Sequence, residues 1–279
     1  MSDSQAAKAQ RFLDLHSGDR PLLLPNPWDA GSAVLLASLG FTALATTSSG
    51  FAATLGRLDG QISREEALAH AAAVAAATDV PVSADLENGF ADAPGAVADV
   101  VSAAIGAGLA GCSIEDATGR DDDPIYDLGL ATERIAAAAE AAGSRLVLTA
   151  RAENYLYGRA ELGDTIARLQ AFAEAGAHVL YAPGLTSAEE IRAVVTSVDR
   201  PVNVLAVAGA PSVSELAELG VARVSVGGSF AFAAIGALVQ AATEFRDAGT
   251  YGYRALSARG AAAADSAFAE GSSSGSMRR

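Results

Sequence analysis

The sequence predicts a single-domain (β/α)8 barrel, in which parallel strands alternate with helices around one core. Three observations predict it. Apolar strand-like runs alternate with amphipathic helical stretches along the whole chain. Several of those runs end in acidic, polar or glycine residues, as strands do when they open into a site at their carboxyl ends. The length, 279 residues, suits one large α/β core. An open doubly wound sheet would usually carry Gly-x-Gly-x-x-Gly after its first strand, and Asn26-Pro27-Trp28 stands there instead.

The elements follow in order. Leu22 to Pro25 reads as the first strand, with a helix over Ala30 to Leu39. Phe41 to Thr46 is the second, followed by a glycine-punctuated loop and a helix from Arg64 to Thr78 whose Ser63 and Glu66 form a capping box. Pro81 to Asp85 is the third, and its helix begins near Pro94, a favoured first-turn residue. Gly111 to Glu115 is the fourth, with a long acidic loop and a helix from Thr132 to Ala142. Arg145 to Ala150 and His178 to Tyr181 follow, with helices from Asp164 to Ala175 and from a cap at Thr186 and Glu189. Val202 to Val207 precedes a helix capped by Ser212 and Glu215, and Ala222 to Val226 precedes one that runs to Phe245. The barrel is expected over residues 1–254, and 255–279, rich in alanine and glycine, is expected as a partly disordered tail.

The net charge of -14 argues against nucleic-acid and anionic-membrane partners. A small anionic substrate remains compatible with it, because a bound metal inverts the local field. A lone cysteine, Cys112, rules out an internal disulfide framework and fits a reducing cytoplasm. Met1 to Arg20 lacks the apolar core of a signal peptide, and no stretch reads as a membrane span.

In this fold the chemistry gathers at the strand ends. They offer Asn26, Trp28, Ser48-Ser49-Gly50, Asp85, Glu87, Glu115, Asp116, Arg151, Tyr181, Asn203 and Gly227-Gly228. Asp85 and Glu87, two apart at a strand end, can face one cavity, and such hard oxygen donors suit Mg²⁺ better than zinc. Ser48-Ser49-Gly50 reads either as an anion-holding nest or as an ordinary turn. Gly227-Gly228 reads as an anion site or as close packing. Arg151 reads as a bidentate clamp for an oxyanion, or as an ion pair with Glu115 or Glu153. His16, His70 and His178 fall away from the strand ends and read as structural, as does the mid-strand Cys112.

Taken together, Asn26-Pro27-Trp28-Asp29-Ala30, Thr46 to Gly50, Gly56-Arg57-Leu58-Asp59-Gly60, Ala84 to Gly89, Ser113 to Asp116, Thr149-Ala150-Arg151 and Pro201-Val202-Asn203 resemble the isocitrate lyase / phosphoenolpyruvate mutase superfamily, in the family's order. The resemblance implies a Mg²⁺-dependent barrel, with Mn²⁺ as the alternative ion, acting on small 2-oxo or 2-hydroxy carboxylates. It implies Asp85 as metal ligand, with Asp59, Glu87 and Glu115 holding the metal's waters. It implies Ser48, Ser49 and Gly50 on the substrate carboxylate, Arg151 on its anionic end, and Trp28 and Asn203 as walls. It also implies a tetramer or dimer in which the eighth helix, Ser229 to Phe245, packs on a neighbouring subunit. The implied reaction is cleavage of a C–C bond that leaves an enolate, with Asp59, Glu115 and Arg151 at the reacting centre.

The chain departs from that pattern after the fourth strand. The family's lyases carry Lys-Lys-Cys-Gly-His or Lys-Arg-Cys-Gly-His there, with the cysteine as acid, and this chain has Ala117-Thr118-Gly119-Arg120-Asp121-Asp122-Asp123. Either this loop supports another substrate, or Thr118, Arg120 or Tyr126 takes over the role of the acid. A phosphonopyruvate-type P–C mutase or hydrolase is the alternative chemistry, and a non-catalytic carboxylate-binding relative is the alternative of another class.

Overall fold

The computed structural model describes residues 4–275. Eight strands form one parallel sheet: β1 (Leu22–Leu24), β2 (Leu44–Ala45), β3 (Val82–Asp85), β4 (Gly111–Glu115), β5 (Val147–Arg151), β6 (Val179–Tyr181), β7 (Val202–Leu205) and β8 (Arg223–Ser225). Their order is β1-β8-β7-β6-β5-β4-β3-β2. The Ala45 N–H donates to the Pro25 carbonyl at 3.1 Å and bridges the remaining gap between β2 and β1. The helices are α1 (Gln5–Asp14), α2 (Ala30–Ser38), α3 (Ser48–Thr54), α4 (Arg64–Ala76), α5 (Pro94–Gly106), α6 (Leu128–Ala142), α7 (Leu162–Glu174), α8 (Ala188–Ser197), α9 (Val213–Glu218), α10 (Ser229–Asp247) and α11 (Arg254–Gly275). The predicted (β/α)8 barrel is the fold.

Local chemistry sets many of the boundaries. The capping boxes at Ser63/Glu66 and Ser212/Glu215 are formed, and Pro94 opens α5. β4 has the predicted bounds. Elsewhere the structure differs from expectation for identifiable reasons. The α8 cap is Ser187, whose hydroxyl accepts from the Glu190 N–H, rather than Thr186. α6 starts at Leu128 because Asp127 caps it, four residues before the expected Thr132. β2 is only Leu44–Ala45, because Phe41 and Thr42 lie outside the ladder. Ser48-Ser49-Gly50 is neither nest nor open turn: it is the first turn of α3, capped by Thr47. Arg254–Gly275 forms a helix where a tail is expected, with Ala267 buried. Alanine has the highest intrinsic helix propensity, yet an alanine-rich helix shows little amphipathic pattern. The end of the expected tail, Ser276 to Arg279, lies outside the described residues.

The main core lies between sheet and helices, where Leu44, Val74, Leu86, Ile114, Leu148 and Phe172 are buried. Each such side chain contributes about 1.5–3 kcal/mol through burial. α1 closes the amino end of the barrel by inserting Phe12 beneath β4 and β5. Gly111 admits that ring: a Cβ there would lie 2.7 Å from Phe12 and 2.9 Å from the Val147 carbonyl. The histidines are structural, as expected. His70 stacks on Phe51, and His178 accepts from the Leu148 N–H through Nδ1 at 3.1 Å. Cys112 is fully buried, and that burial pushes its thiol up to about 12. No helix among the described residues is long and apolar enough to cross a membrane.

Candidate active site

The carboxyl ends of the strands open onto two connected chambers that share Ser48, Asp59, Arg151 and Leu156 as walls. The lower one, about 200 Å³, descends into the barrel between Asp85, Tyr181, Asn203 and Arg223. The upper one, about 600 Å³, lies among the loops and is lined by Glu87, Glu115, Arg120, Glu153 and Tyr157. The lower volume falls below the roughly 300–1,000 Å³ of drug-sized sites, so it selects a small molecule.

Strand register assembles the centre. Glu115 pairs with Arg151 and Arg151 with Tyr181 across β4, β5 and β6, so these side chains share one level of the barrel mouth. Arg151 bonds to Asp85 at 3.0 Å, Glu115 at 3.2 Å and Glu153 at 2.7 Å. Both readings of Arg151 therefore meet in one residue: it is the ion-pair partner and also the cation facing the cavity. Burial raises the carboxyls of Glu115 and Glu153, against the pull of Arg151. Glu153 is a site residue that the sequence offered only as a structural partner. Its signal was its place two residues beyond Arg151, where strand periodicity returns it to the same face.

The stretch after β3 is a pinned turn. Glu87, Gly89 and Phe90 have φ of 48°, 74° and 54°. A left-handed non-glycine residue costs on the order of 1–2 kcal/mol, and the surroundings impose it here. The Glu115 N–H donates to the Glu87 carbonyl at 3.0 Å, and the Phe90 N–H to Asn88 Oδ1 at 2.9 Å. Arg134, fully buried on α6, donates to the carbonyls of Asn88, Ala91 and Glu115 and stacks on Tyr126. It ties the loops after β3 and β4 together.

The remaining predicted residues sort as follows. Ser48 donates its N–H to Asp85 Oδ2 at 3.1 Å. Asp59 sits at the rim, its carboxyl raised by desolvation and by Asp85. Ser49 lines the lower chamber, and Gly228 makes room for it: a Cβ at Gly228 would lie 2.6 Å from the Ser49 hydroxyl. That is the packing reading of Gly227-Gly228. Asn203 lines the lower chamber, as expected. Trp28 and Gly50 line neither chamber. They pack together in a shallow depression beneath α10, where a Cβ on Gly50 would meet Trp28 at 3.2 Å and Ala231 at 3.1 Å. Asp116 is structural, held by the Glu153 N–H and by Arg168.

The loop after β4 is closed by an antiparallel bridge between Ala117 and Ile125. Its candidate acids are occupied. The Thr118 hydroxyl donates to the Asp123 carbonyl, and the Tyr126 hydroxyl bonds to Asp92. Arg120 pairs with Asp92 at 3.2 Å. Among the described residues, neither chamber is lined by histidine, cysteine or lysine.

The centre suits a hard divalent cation by charge. Asp59, Asp85, Glu87, Glu115 and Glu153 outweigh Arg151, and Glu87 Oε1 is buried without a hydrogen-bond partner. Desolvation first, then Asp85 and Asp59, push the Glu87 carboxyl up to about 8. Among the described residues no group of three or more His, Cys, Asp or Glu side chains stands as a ready-made metal array. Asp85 bonds through one oxygen to Arg151 and through the other to the Ser48 N–H, and a carboxylate oxygen with one such bond keeps a lone pair for a cation.

Glu87 makes a pH prediction with a definite sign. The folded state keeps its proton up to about pH 8, whereas the unfolded chain gives it up near 4.5. Its contribution to stability is whole below 4.5 and is lost as pH rises to about 8. The lowered pKa values of His16, His70 and His178 act below 6.5, so the range from 6.5 to 8.5 isolates the carboxyls. Metal-free protein should melt at lower temperature at pH 8.5 than at 6.5. Mg²⁺, which needs the carboxylate form, should raise the melting temperature more at 8.5. Equal Mg²⁺ effects at both values would remove Glu87 from the site.

A family model described as phosphoenolpyruvate phosphomutase matches residues 12–246. A crystal structure of a Burkholderia cenocepacia J2315 protein, described only as a lyase/mutase, is 55% identical, covering 90% of this chain and 92% of that one with a TM-score of 0.88. A 2-methylisocitrate lyase from Halalkalibacterium halodurans is 30% identical over 71% of this chain and 67% of its own length. The structure of 2,3-dimethylmalate lyase, a member of the PEP mutase/isocitrate lyase superfamily, is 28% identical over 90% of both chains, with a TM-score of 0.79.

Proposed function

The chain belongs to the phosphoenolpyruvate phosphomutase family, and on that premise we propose that it is a Mg²⁺-dependent lyase that cleaves a C–C bond in a small 2-oxo or 2-hydroxy carboxylate. The observation that carries the proposal is Arg151, centred among Asp85, Glu115 and Glu153 at the mouth of a small cavity. Asp85, with Glu87 and Glu115 beside it, would hold Mg²⁺ or Mn²⁺, which would stabilise negative charge developing on a substrate oxygen. Arg151 binds the anionic end of the substrate. The Ser48 and Ser49 N–H groups and the Asn203 amide orient its carboxylate. Asp59, at the wall shared by both chambers with its carboxyl raised, is the base for a hydroxyl proton. The similarity to 2-methylisocitrate lyase and 2,3-dimethylmalate lyase supports C–C chemistry.

The test is a panel of 2-oxo and 2-hydroxy acids given to chelator-stripped protein with and without Mg²⁺, read by pyruvate and glyoxylate release. The family description favours a second reading, P–C bond chemistry on a phosphonopyruvate-type substrate. Phosphorus NMR of a phosphonopyruvate incubation separates the two. The lone buried cysteine fits a reducing cytoplasm.

We also propose a homo-oligomer built on α10. This helix buries only Ala231 and exposes Phe232, Leu238, Val239 and Phe245, each more than half exposed. A contiguous apolar face of that kind marks an interaction surface. Wild-type protein should sediment as a dimer or tetramer, and Phe232→Asp combined with Leu238→Asp should shift it to monomer. A monomeric wild type would remove the proposal.

A further inference from the structure

The floor of the lower chamber holds a buried guanidinium that the proposed chemistry leaves unused. Arg223 opens β8 and is 4% exposed. Among the described residues it pairs with no carboxylate. Its Nε donates to Asn203 Oδ1 at 2.9 Å, its Nη1 to His16 Nε2 at 3.2 Å and its Nη2 to Thr149 Oγ1 at 3.2 Å. A guanidinium only donates, so these bonds fix the direction of everything attached to them.

His16 must accept at Nε2 and carry its hydrogen on Nδ1, which faces the Phe12 carbonyl at 3.0 Å. Burial and Arg223 hold its pKa down to about 3, so the ring is neutral. Asn203 must turn its oxygen to Arg223, and its amide nitrogen then donates to the Ser225 hydroxyl at 2.9 Å. Tyr181 ends β6 and pairs in register with Asn203 on β7, and it lines the lower chamber with Arg151 and Asp85.

We propose that Tyr181 is the proton donor of this site, with Arg223 as the positioning residue that fixes Asn203 beside it. The proposal rests on the lyase reading. For a 2-oxo acid that carries a hydroxyl two carbons beyond its oxo group, Asp59 takes the hydroxyl proton, the O–H pair becomes the carbonyl of one fragment, and the C–C pair becomes the enolate of the departing 2-oxo acid. The Tyr181 O–H bond then breaks with its pair left on oxygen. The enolate π pair takes the proton to form a new C–H bond, and the oxo group re-forms. The phenolate so produced lies against Arg151, whose guanidinium carbon is 5.2 Å from the ring centroid. Water returns a proton to Tyr181 as Asp59 gives up the one it removed. Burial pushes the resting phenol up to about 12, so it holds its proton at neutral pH. The other candidates are spent on Asp92 and on the Asp123 carbonyl. Tyr251, 60% exposed and outside both chambers, is the control.

The experiment follows exchange of the methyl protons of pyruvate in D₂O with Mg²⁺, for wild type, Tyr181→Phe, Tyr251→Phe and Arg223→Lys. Tyr181→Phe should slow exchange by about 10²–10⁴-fold while Mg²⁺-oxalate affinity changes less than about tenfold, and Tyr251→Phe should leave both in place. Arg223→Lys keeps the charge and loses the fork; it should lower the maximal exchange rate without raising the pyruvate concentration for half-maximal rate. Exchange by Tyr181→Phe within about tenfold of wild type overturns the assignment and leaves the lyase reading standing. A wild type that binds Mg²⁺-oxalate, exchanges no pyruvate protons and cleaves no acid of the panel overturns both.

Discussion

Asp85→Ala is expected to lose Mg²⁺-dependent turnover by about 10³-fold or more, since a metal ion supplies several kcal/mol of charge stabilisation at the reacting oxygen. The same variant should stay folded. In the metal-free protein Asp85 is one of a crowd of carboxylates around Arg151, with Glu115 and Glu153 also in contact. Removing it relieves repulsion on Glu87 and Asp59, both of which it raises. Stability should therefore change by no more than about 1 kcal/mol, near the centre of ordinary substitutions. Calorimetry of Mg²⁺ binding, a melting curve and turnover on one protein sample separate the effects. Retained Mg²⁺-dependent activity would take Asp85 out of the metal site.

Arg151→Met acts on both activity and stability. The guanidinium is about 15% exposed and bonds to carboxylates that are 16%, 16% and 3% exposed. Breaking buried ion pairs by removing one partner costs on the order of 3–5 kcal/mol, because the remaining charges stay desolvated. The loss should be smaller at low pH, because Glu115 and Glu153 already favour the protonated form and can neutralise themselves. Turnover should fall by at least about 10²–10³-fold, as for removal of a preorganised donor to a developing anion. Added Mg²⁺ should recover part of the lost stability and none of the activity. Equal stability of wild type and variant in chemical denaturation, without Mg²⁺ at pH 8, would contradict this role for Arg151.

Much of this was legible in the sequence because barrel strands are local and periodic. Asp85, Glu115 and Arg151 each end a short strand, and the fold sends strand ends to one mouth. Trp28 and Gly50 were placed on the cavity because they follow strands too. Their true position depends on α10, which covers them from far along the chain. The first turn of α3 looked like a loop because Ser48-Ser49-Gly50 has weak helix propensity, and the Thr47 cap decides the matter. The Arg223 network was invisible for a different reason. His16 and Arg223 stand at opposite ends of the chain and meet only when the turn after α1, Leu15–Ser17, reaches β8. The available signal was an arginine inside a strand run, Ala222 to Val226, whose other residues are small or apolar. An inward-facing charge of that kind needs partners. Glu153, two residues past Arg151, carried a similar signal.

The central claim is that a divalent cation at Asp85 drives C–C cleavage in this cavity. The most direct measurement is carbon NMR of ¹³C-labelled 2-oxo and 2-hydroxy acids, with wild type and Asp85→Ala side by side, each stripped with chelator and then given Mg²⁺. The account predicts a labelled two- or three-carbon oxo acid from at least one substrate, only with wild type and only after Mg²⁺ is restored. Cleavage that proceeds equally in chelator, or equally in Asp85→Ala, would contradict it.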